Sequence, residues 1–195
     1  GFVLYAPSPR AVTAKRAAEL AKRLPAFVTP VLLFVNASNE EISRACAQMS
    51  GAWLQFHGDE TPEACQHIAD AQGRRWMRAA RIPLETPAGQ PPFDLLKYAH
   101  DYQNAHALLL DAHVEGYGGG GKTFNWSQLP QNVNAHLVLS GGLNAANVTE
   151  GLSALRGRGL SLAVDVSSGV ESAKGIKDAD KIHAFVNAVR LADAG

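Results

Sequence analysis

Cysteine is scarce in this sequence: Cys46 and Cys65 are the only two in 195 residues. Two thiols cannot build a disulfide framework, so the fold has to rest on a packed interior, and nothing indicates an oxidising compartment. Net charge is also missing, with 18 Lys and Arg against 18 Asp and Glu. That balance argues against a broad electrostatic footprint for nucleic acid or an anionic membrane. Apolar runs such as Val31–Val35 and Leu108–Leu110 fall far short of the roughly 20 residues that span a bilayer. No basic segment leads into an apolar stretch at the start, so no secretory signal is expected. A cytoplasmic, soluble protein without a metal site is the expectation, because no Cys or His spacing resembles a ligand set.

What the sequence does have is a recurring alternation. Short apolar runs, Phe2–Tyr5, Val31–Val35, Trp53–Phe56, Trp76–Ala80, Ala107–Leu110, Leu137–Leu139 and Leu162–Val166, read as strands. They are mostly continuous rather than alternating apolar and polar, as parallel strands covered on both faces require. Helix signals fall between them. Thr13 can cap a helix that runs to about Leu24, before Pro25. Ser38 with Glu41 forms a capping box, with Gly51 at the far end, and Thr61-Pro62 opens a helix that Gly73 closes. Asn144 or Asn147 opens the next, and Asp178 precedes the amphipathic run Ile182, Phe185, Val186, Val189. Ile82–Pro92 holds four prolines and reads as loop, with a helix resuming near Phe93. Seven βα units imply an α/β fold with a parallel sheet, open or closed as a barrel, in one domain over residues 1–195. A closed (βα)8 barrel has one unit more.

Polar residues with chemical potential sit just after the strands: Arg10, Asn36, His57, Asp111, Ser140-Gly141-Gly142, and Asp165 with Ser167-Ser168-Gly169. In a barrel the loops after the strands share the face that carries the active site. Asp111 ends an apolar strand, where partial loss of hydration suits a general acid; a loop cap accepting backbone N–H groups is the other reading. Asp165, inside its strand, would be costly to bury alone and should meet a donor or a polar lumen. The two small-residue turns can bring backbone amides and hydroxyls close to an anion. His57 is a rim residue, fit for a substrate contact or a structural hydrogen bond. Cys46 and Cys65 read as packing residues on helices.

Residues 116–123, Gly-Tyr-Gly-Gly-Gly-Gly-Lys-Thr, match the nucleotide-binding pattern G-x-x-x-x-G-K-[ST]. The context is wrong. Asp111–Glu115 separates them from the strand, and Pro130 follows too soon for the long helix a P-loop needs. A loop that closes over the site is the reading preferred here.

The segments Ser8-Pro9-Arg10, Gln55-Phe56-His57-Gly58-Asp59-Glu60, Leu109-Leu110-Asp111, Gly119–Trp126, Ser140-Gly141-Gly142-Leu143-Asn144 and Asp165-Val166-Ser167-Ser168-Gly169-Val170-Glu171, with Gly175-Ile176-Lys177-Asp178 beyond, occur in an order that resembles phosphoribosylanthranilate isomerase. That family is a TIM barrel of tryptophan biosynthesis, and the likeness covers essentially the whole chain. It implies an Amadori rearrangement of N-(5-phosphoribosyl)anthranilate to the 1-deoxyribulose 5-phosphate product. No cofactor is implied, and the assembly would be a monomer or homodimer. By similarity Asp111 is the catalytic general acid. Arg10 pairs with the anthranilate carboxylate, His57 and Asp165 contact substrate, and Gly141, Gly142, Ser167, Ser168 and Gly169 bind the phosphate. All of them should converge around one mouth.

The family's general base is a cysteine in a Lys-x-Cys-Gly segment on its first strand. The present sequence has no such segment and starts at what resembles the second strand. The expectation is therefore seven of eight βα units, with the first absent and residues 1–195 inactive by themselves. Smaller departures are Phe56, Gly120, Asn125 and Arg78, the last where lysine is common. Three alternatives stay open: a fragment that binds phosphosugars without turnover, a P-loop hydrolase, and the histidine-pathway aminoaldose isomerase.

Overall fold

The computed structural model describes all residues except 86–88, 90, 114–122 and 195. The chain divides into two compact units, Gly1–Ala79 with Asn104–His106, and Ala80–Gln103 with Ala107–Gly195. Each is α/β.

In the first unit, β1 (Phe2–Val3), β2 (Val31–Phe34), β3 (Trp53–Phe56) and the opening half of β4 (Trp76–Pro83) lie side by side. All these neighbours are parallel, and the register sets Phe34 beside Phe56 and Phe56 beside Arg78. The connections are α1 (Ala14–Ala21), α2 (Asn39–Gln48) and α3 (Pro62–Gln72). Their N-caps are those expected, whereas α2 ends at Gln48 with Met49, not Gly51, as its C-cap. Thr13 Oγ1 accepts the Arg16 amide, and Thr61 Oγ1 accepts the Ala64 amide. Ser38 and Glu41 close a reciprocal capping box. α1 ends at Ala21 rather than near Leu24, because the amides of Arg23 and Leu24 turn back three residues to Leu20 and Ala21 as Pro25 approaches. Leu32, Phe34, Leu54, Phe56 and Trp76 fill the interior, covered by Ala17, Ile42, Ala45, Cys65 and Ile68. Side chains of this kind each contribute about 1.5–3 kcal/mol when removed from water.

The second unit repeats the scheme with β5 (Leu108–His113), β6 (His136–Leu139) and β7 (Ser161–Val164), again parallel. It also holds α4 (Leu95–Asp101), a 3-10 turn at Trp126–Gln128, α5 (Val148–Leu155) and α6 (Ala179–Ala194). β4 carries on to Pro83, three residues past its predicted end, with Ile82 buried beyond the half-buried Arg81. Residues Leu108–Leu110 are all buried, which is why that strand reads as a continuous apolar run. Between β7 and α6 the chain forms an antiparallel ribbon that the sequence reading did not anticipate, β8 (Glu171–Ala173) with β9 (Ile176–Lys177). Strands this short and polar carry no hydrophobic pattern from which to predict them.

The exposed capping box of α2 gives a clean test of local stabilisation. Ser38→Ala is expected to cost about 1 kcal/mol, read as a lower urea midpoint at unchanged slope. A midpoint equal to wild type would show that the cap contributes nothing.

Candidate active site

Backbone ladders set the geometry in the second unit. The β5–β6 and β6–β7 registers pair Leu110 with Leu139 and Leu139 with Val164. The ladders continue one step further, with the Ser140 amide donating to Leu110 O at 2.9 Å and the Asp165 amide to Leu139 O at 2.8 Å. Asp111, Ser140 and Asp165 are thereby consecutive neighbours across three strands.

Asp111 is only 5% exposed. It lies inside β5, which runs two residues past it, rather than at the strand end. Gly141 is fitted against it. With φ at +75°, and with the position of a Cβ only 2.5 Å from Ala112 N and 2.8 Å from Asp111 Oδ1, the site admits no side chain. Gly142 follows with φ at +67°, and Asn147 Nδ2 donates to its carbonyl at 3.1 Å.

Asp165 departs from its expected place within a strand: β7 ends at Val164, and Asp165 is exposed. A charged carboxylate keeps its hydration more cheaply there than inside the strand. The expected donor is present, because Ser140 Oγ donates to Asp165 Oδ2 at 3.0 Å. The turn Ser167-Ser168-Gly169 is half-buried. Gly169 packs so closely on the Leu143 carbonyl that a Cβ would overlap the oxygen. The two glycine-serine turns are thus in backbone contact, which their spacing in the sequence did not disclose.

The first unit holds Arg10 and His57. Arg10 is half-buried in the turn after β1, its amide donating to Ser8 Oγ at 3.2 Å. His57 was expected at the rim rather than in the core; it does follow β3, yet it is 6% exposed. Its amide donates to Phe34 O, and its ring Nδ1 lies 3.1 Å from Gln55 Nε2. Beneath it is a buried ion pair that the sequence reading missed. Arg78 Nη1 meets Glu60 Oε2 at 2.7 Å, with the two side chains 6% and 8% exposed. The same guanidinium donates to the carbonyls of Phe56 and Gly58, and Glu60 accepts the amides of Asn36 and Gly58. Arg78 within the apolar run Trp76–Ala80 was the available signal, since such a charge must be paired.

Cys46 and Cys65 are buried on α2 and α3, as expected of packing residues. Burial raises both thiols above their ordinary range, with nearby Arg74 opposing the effect for Cys46, and it pushes Cys65 up to about 12. Neither is a nucleophile or base near neutral pH. Among the described residues no group of His, Cys, Asp and Glu could hold a metal ion, and no helix is long and apolar enough to cross a membrane. Of the P-loop-like string, 116–122 lies outside the described residues. Thr123 is described, and the 3-10 turn at Trp126–Gln128 follows it instead of a long helix.

The family model for N-(5'-phosphoribosyl)anthranilate isomerase matches residues 1–188. The chain belongs to this family. An N-(5'-phosphoribosyl)anthranilate isomerase of Methylibium petroleiphilum is 59% identical over 194 residues, covering 100% of this chain and 84% of the relative. That of Leptothrix cholodnii is 57% identical over 194 residues, with coverages of 100% and 81%. The solved phosphoribosylanthranilate isomerase of Thermotoga maritima superposes with a TM-score of 0.79 at 33% identity, over 98% of this chain and 87% of that one. A second solved isomerase, in complex with reduced 1-(o-carboxyphenylamino)-1-deoxyribulose 5-phosphate, has a TM-score of 0.77 at 30% identity and coverages of 98% and 86%. The α/β fold class, read as the family's TIM barrel, is shared with these isomerases.

The fit of Gly141 against Asp111 yields a prediction. Gly141→Ala combines a left-handed backbone with an overlap on Ala112 N, and is expected to destabilise by roughly 2–4 kcal/mol. Denaturant unfolding reads this directly; a loss below about 0.5 kcal/mol would mean that the turn relaxes away from Asp111.

Proposed function

We propose that this chain carries the acid, substrate-binding and phosphate-binding side of phosphoribosylanthranilate isomerisation. The observation that carries the proposal is Asp111, a carboxyl enclosed in an apolar strand and held against the Gly141 turn. An acid placed so, beside backbone able to receive a phosphate, suits the opening of a phosphosugar ring.

In this reading Asp111 gives a proton to the ribose ring oxygen as the C1–O bond breaks. The anthranilate nitrogen supplies the electron pair and becomes the iminium of a Schiff base. Removal of the C2 proton then returns those electrons through an enolamine, and tautomerisation gives the C2 ketone. Reduction at C1 balances oxidation at C2, so the rearrangement consumes no external oxidant or reductant. Arg10 offers a guanidinium fork to the anthranilate carboxylate. Asp165, oriented by Ser140, faces the ribose hydroxyls, and His57 lines the pocket. Gly141, Gly142, Ser167, Ser168 and Gly169 take the phosphate through amides and hydroxyls. Residues 1–195 belong to one barrel domain, a reading supported by a single family model over 1–188. The ligand is a small phosphorylated molecule, no cofactor takes part, the assembly is a monomer or homodimer, and the setting is the cytoplasm.

The proton at C2 needs a base that the chain's own two thiols do not provide, since both are buried on helices and held protonated. The polypeptide 1–195 assayed alone is therefore expected to bind a reduced product analogue without converting substrate. Turnover by that polypeptide would refute the expectation.

For the acid itself, Asp111→Asn in the complete chain is expected to lower kcat by about 10²–10⁴ while circular dichroism and the unfolding midpoint stay near wild type. Normal turnover in that variant would remove Asp111 from the mechanism.

A further inference from the structure

Lys177 lies outside every role assigned so far, yet it is tied into the proposed phosphate turn. Its Nζ donates to Ser167 O at 2.7 Å, to Ser167 Oγ at 3.3 Å and to Glu171 Oε1 at 2.9 Å. The Glu171 side chain is 5% exposed and that of Lys177 is 43% exposed. The other carboxylate oxygen of Glu171 accepts the Gly175 amide at 3.2 Å, which fixes the turn of the β8–β9 ribbon. Lys181 Nζ donates to Glu171 O at 2.7 Å, and the Asp178 amide donates to Val170 O. Every link is charge-assisted or backbone, and all of them bear on residues 167–171.

A planar trans peptide points its C=O and N–H in opposite directions. Holding the Ser167 carbonyl on the ammonium therefore fixes the Ser168 N–H on the far side of that peptide, directed away from Lys177. The contact of Gly169 with Leu143 O restrains the next residue in the same turn. Resting on the phosphate role given above to Ser167, Ser168 and Gly169, we infer that Lys177, anchored by Glu171, is a positioning residue that orients the Ser168 amide toward the substrate phosphate. It recognises the phosphorylated end of the substrate through the backbone it holds.

Steady-state kinetics and competitive inhibition by inorganic phosphate, both on the complete chain, test this. Lys177→Met is expected to raise the substrate KM and the phosphate inhibition constant together by about tenfold, the order expected for loss of charge-assisted hydrogen bonds, with kcat within about threefold. Lys177→Arg, which can still bridge carbonyl and carboxylate, is expected to restore both constants to within about threefold of wild type. An unchanged phosphate constant in folded Lys177→Met, or a fall in kcat at constant KM, overturns the inference. Should Lys177→Met fail to fold, Glu171→Gln removes the anchoring charge, and a phosphate constant equal to wild type in that variant is equally decisive against it. A wild-type enzyme that turns over and binds phosphate beside an unaltered Lys177→Met sinks only the role of Lys177. A wild-type enzyme indifferent to inorganic phosphate takes down the phosphate reading as well.

Discussion

Parallel hydrogen bonding that outlasts the strands is what aligns the candidate chemistry. The amides of Ser140 and Asp165 keep donating to Leu110 and Leu139 after β6 and β7 have ended. Asp111, Ser140 and Asp165 are therefore ordered by obligatory backbone bonds rather than by side-chain preference. Slippage of one residue would turn each side chain to the opposite face and separate all three. The glycines then exploit that register. Gly141 can approach Asp111, and Gly169 can approach Leu143, only because no Cβ stands between them.

Two ionic clasps hold turns that follow strands, one in each compact unit, and they differ in cost. The Arg78–Glu60 pair is withdrawn from water on both sides, so its attraction has to offset two desolvation penalties. It does so by spreading its hydrogen bonds over Phe56, Gly58 and Asn36. Removing one partner of such a pair typically costs about 3–5 kcal/mol, far more than the pair contributes over apolar residues of the same volume. The Lys177–Glu171 pair keeps its ammonium partly hydrated. Its electrostatic gain is smaller, and what it contributes instead is direction, through the carbonyls and amides it fixes.

Much of the architecture was legible before any coordinates. All seven parallel strands begin within one residue of their predicted starts, and the caps at Thr13, Ser38 and Thr61 form as their spacing indicated. Continuous apolar runs and capping chemistry are local signals, and local signals survive in a sequence. Long-range packing does not. Nothing in the string Ser-Gly-Gly says that Gly141 will meet Asp111, thirty positions away, and nothing in His57 says that it will be buried. Arg78 could have been flagged by its apolar surroundings, but its partner Glu60 belongs to a turn whose path depends on Asn36. The β8–β9 ribbon has no apolar pattern to reveal it. The resemblance carried by the short motifs gave the family; the contacts among those motifs required the fold.

The separations within the second clasp have a kinetic consequence. Lys177 reaches back ten positions to Ser167, Lys181 ten to Glu171, and Gly175 only four to Glu171. Closing loops this small forfeits little chain entropy, whereas Ser140 and Asp165 must meet across 25 positions. During folding, the segment from Ser167 to Lys181 can organise ahead of the long-range strand pairings, as local contacts generally do. Residues 167–181 would then arrive at the growing sheet as a preassembled piece, leaving the seating of Asp111 against Gly141 as the slower closing step.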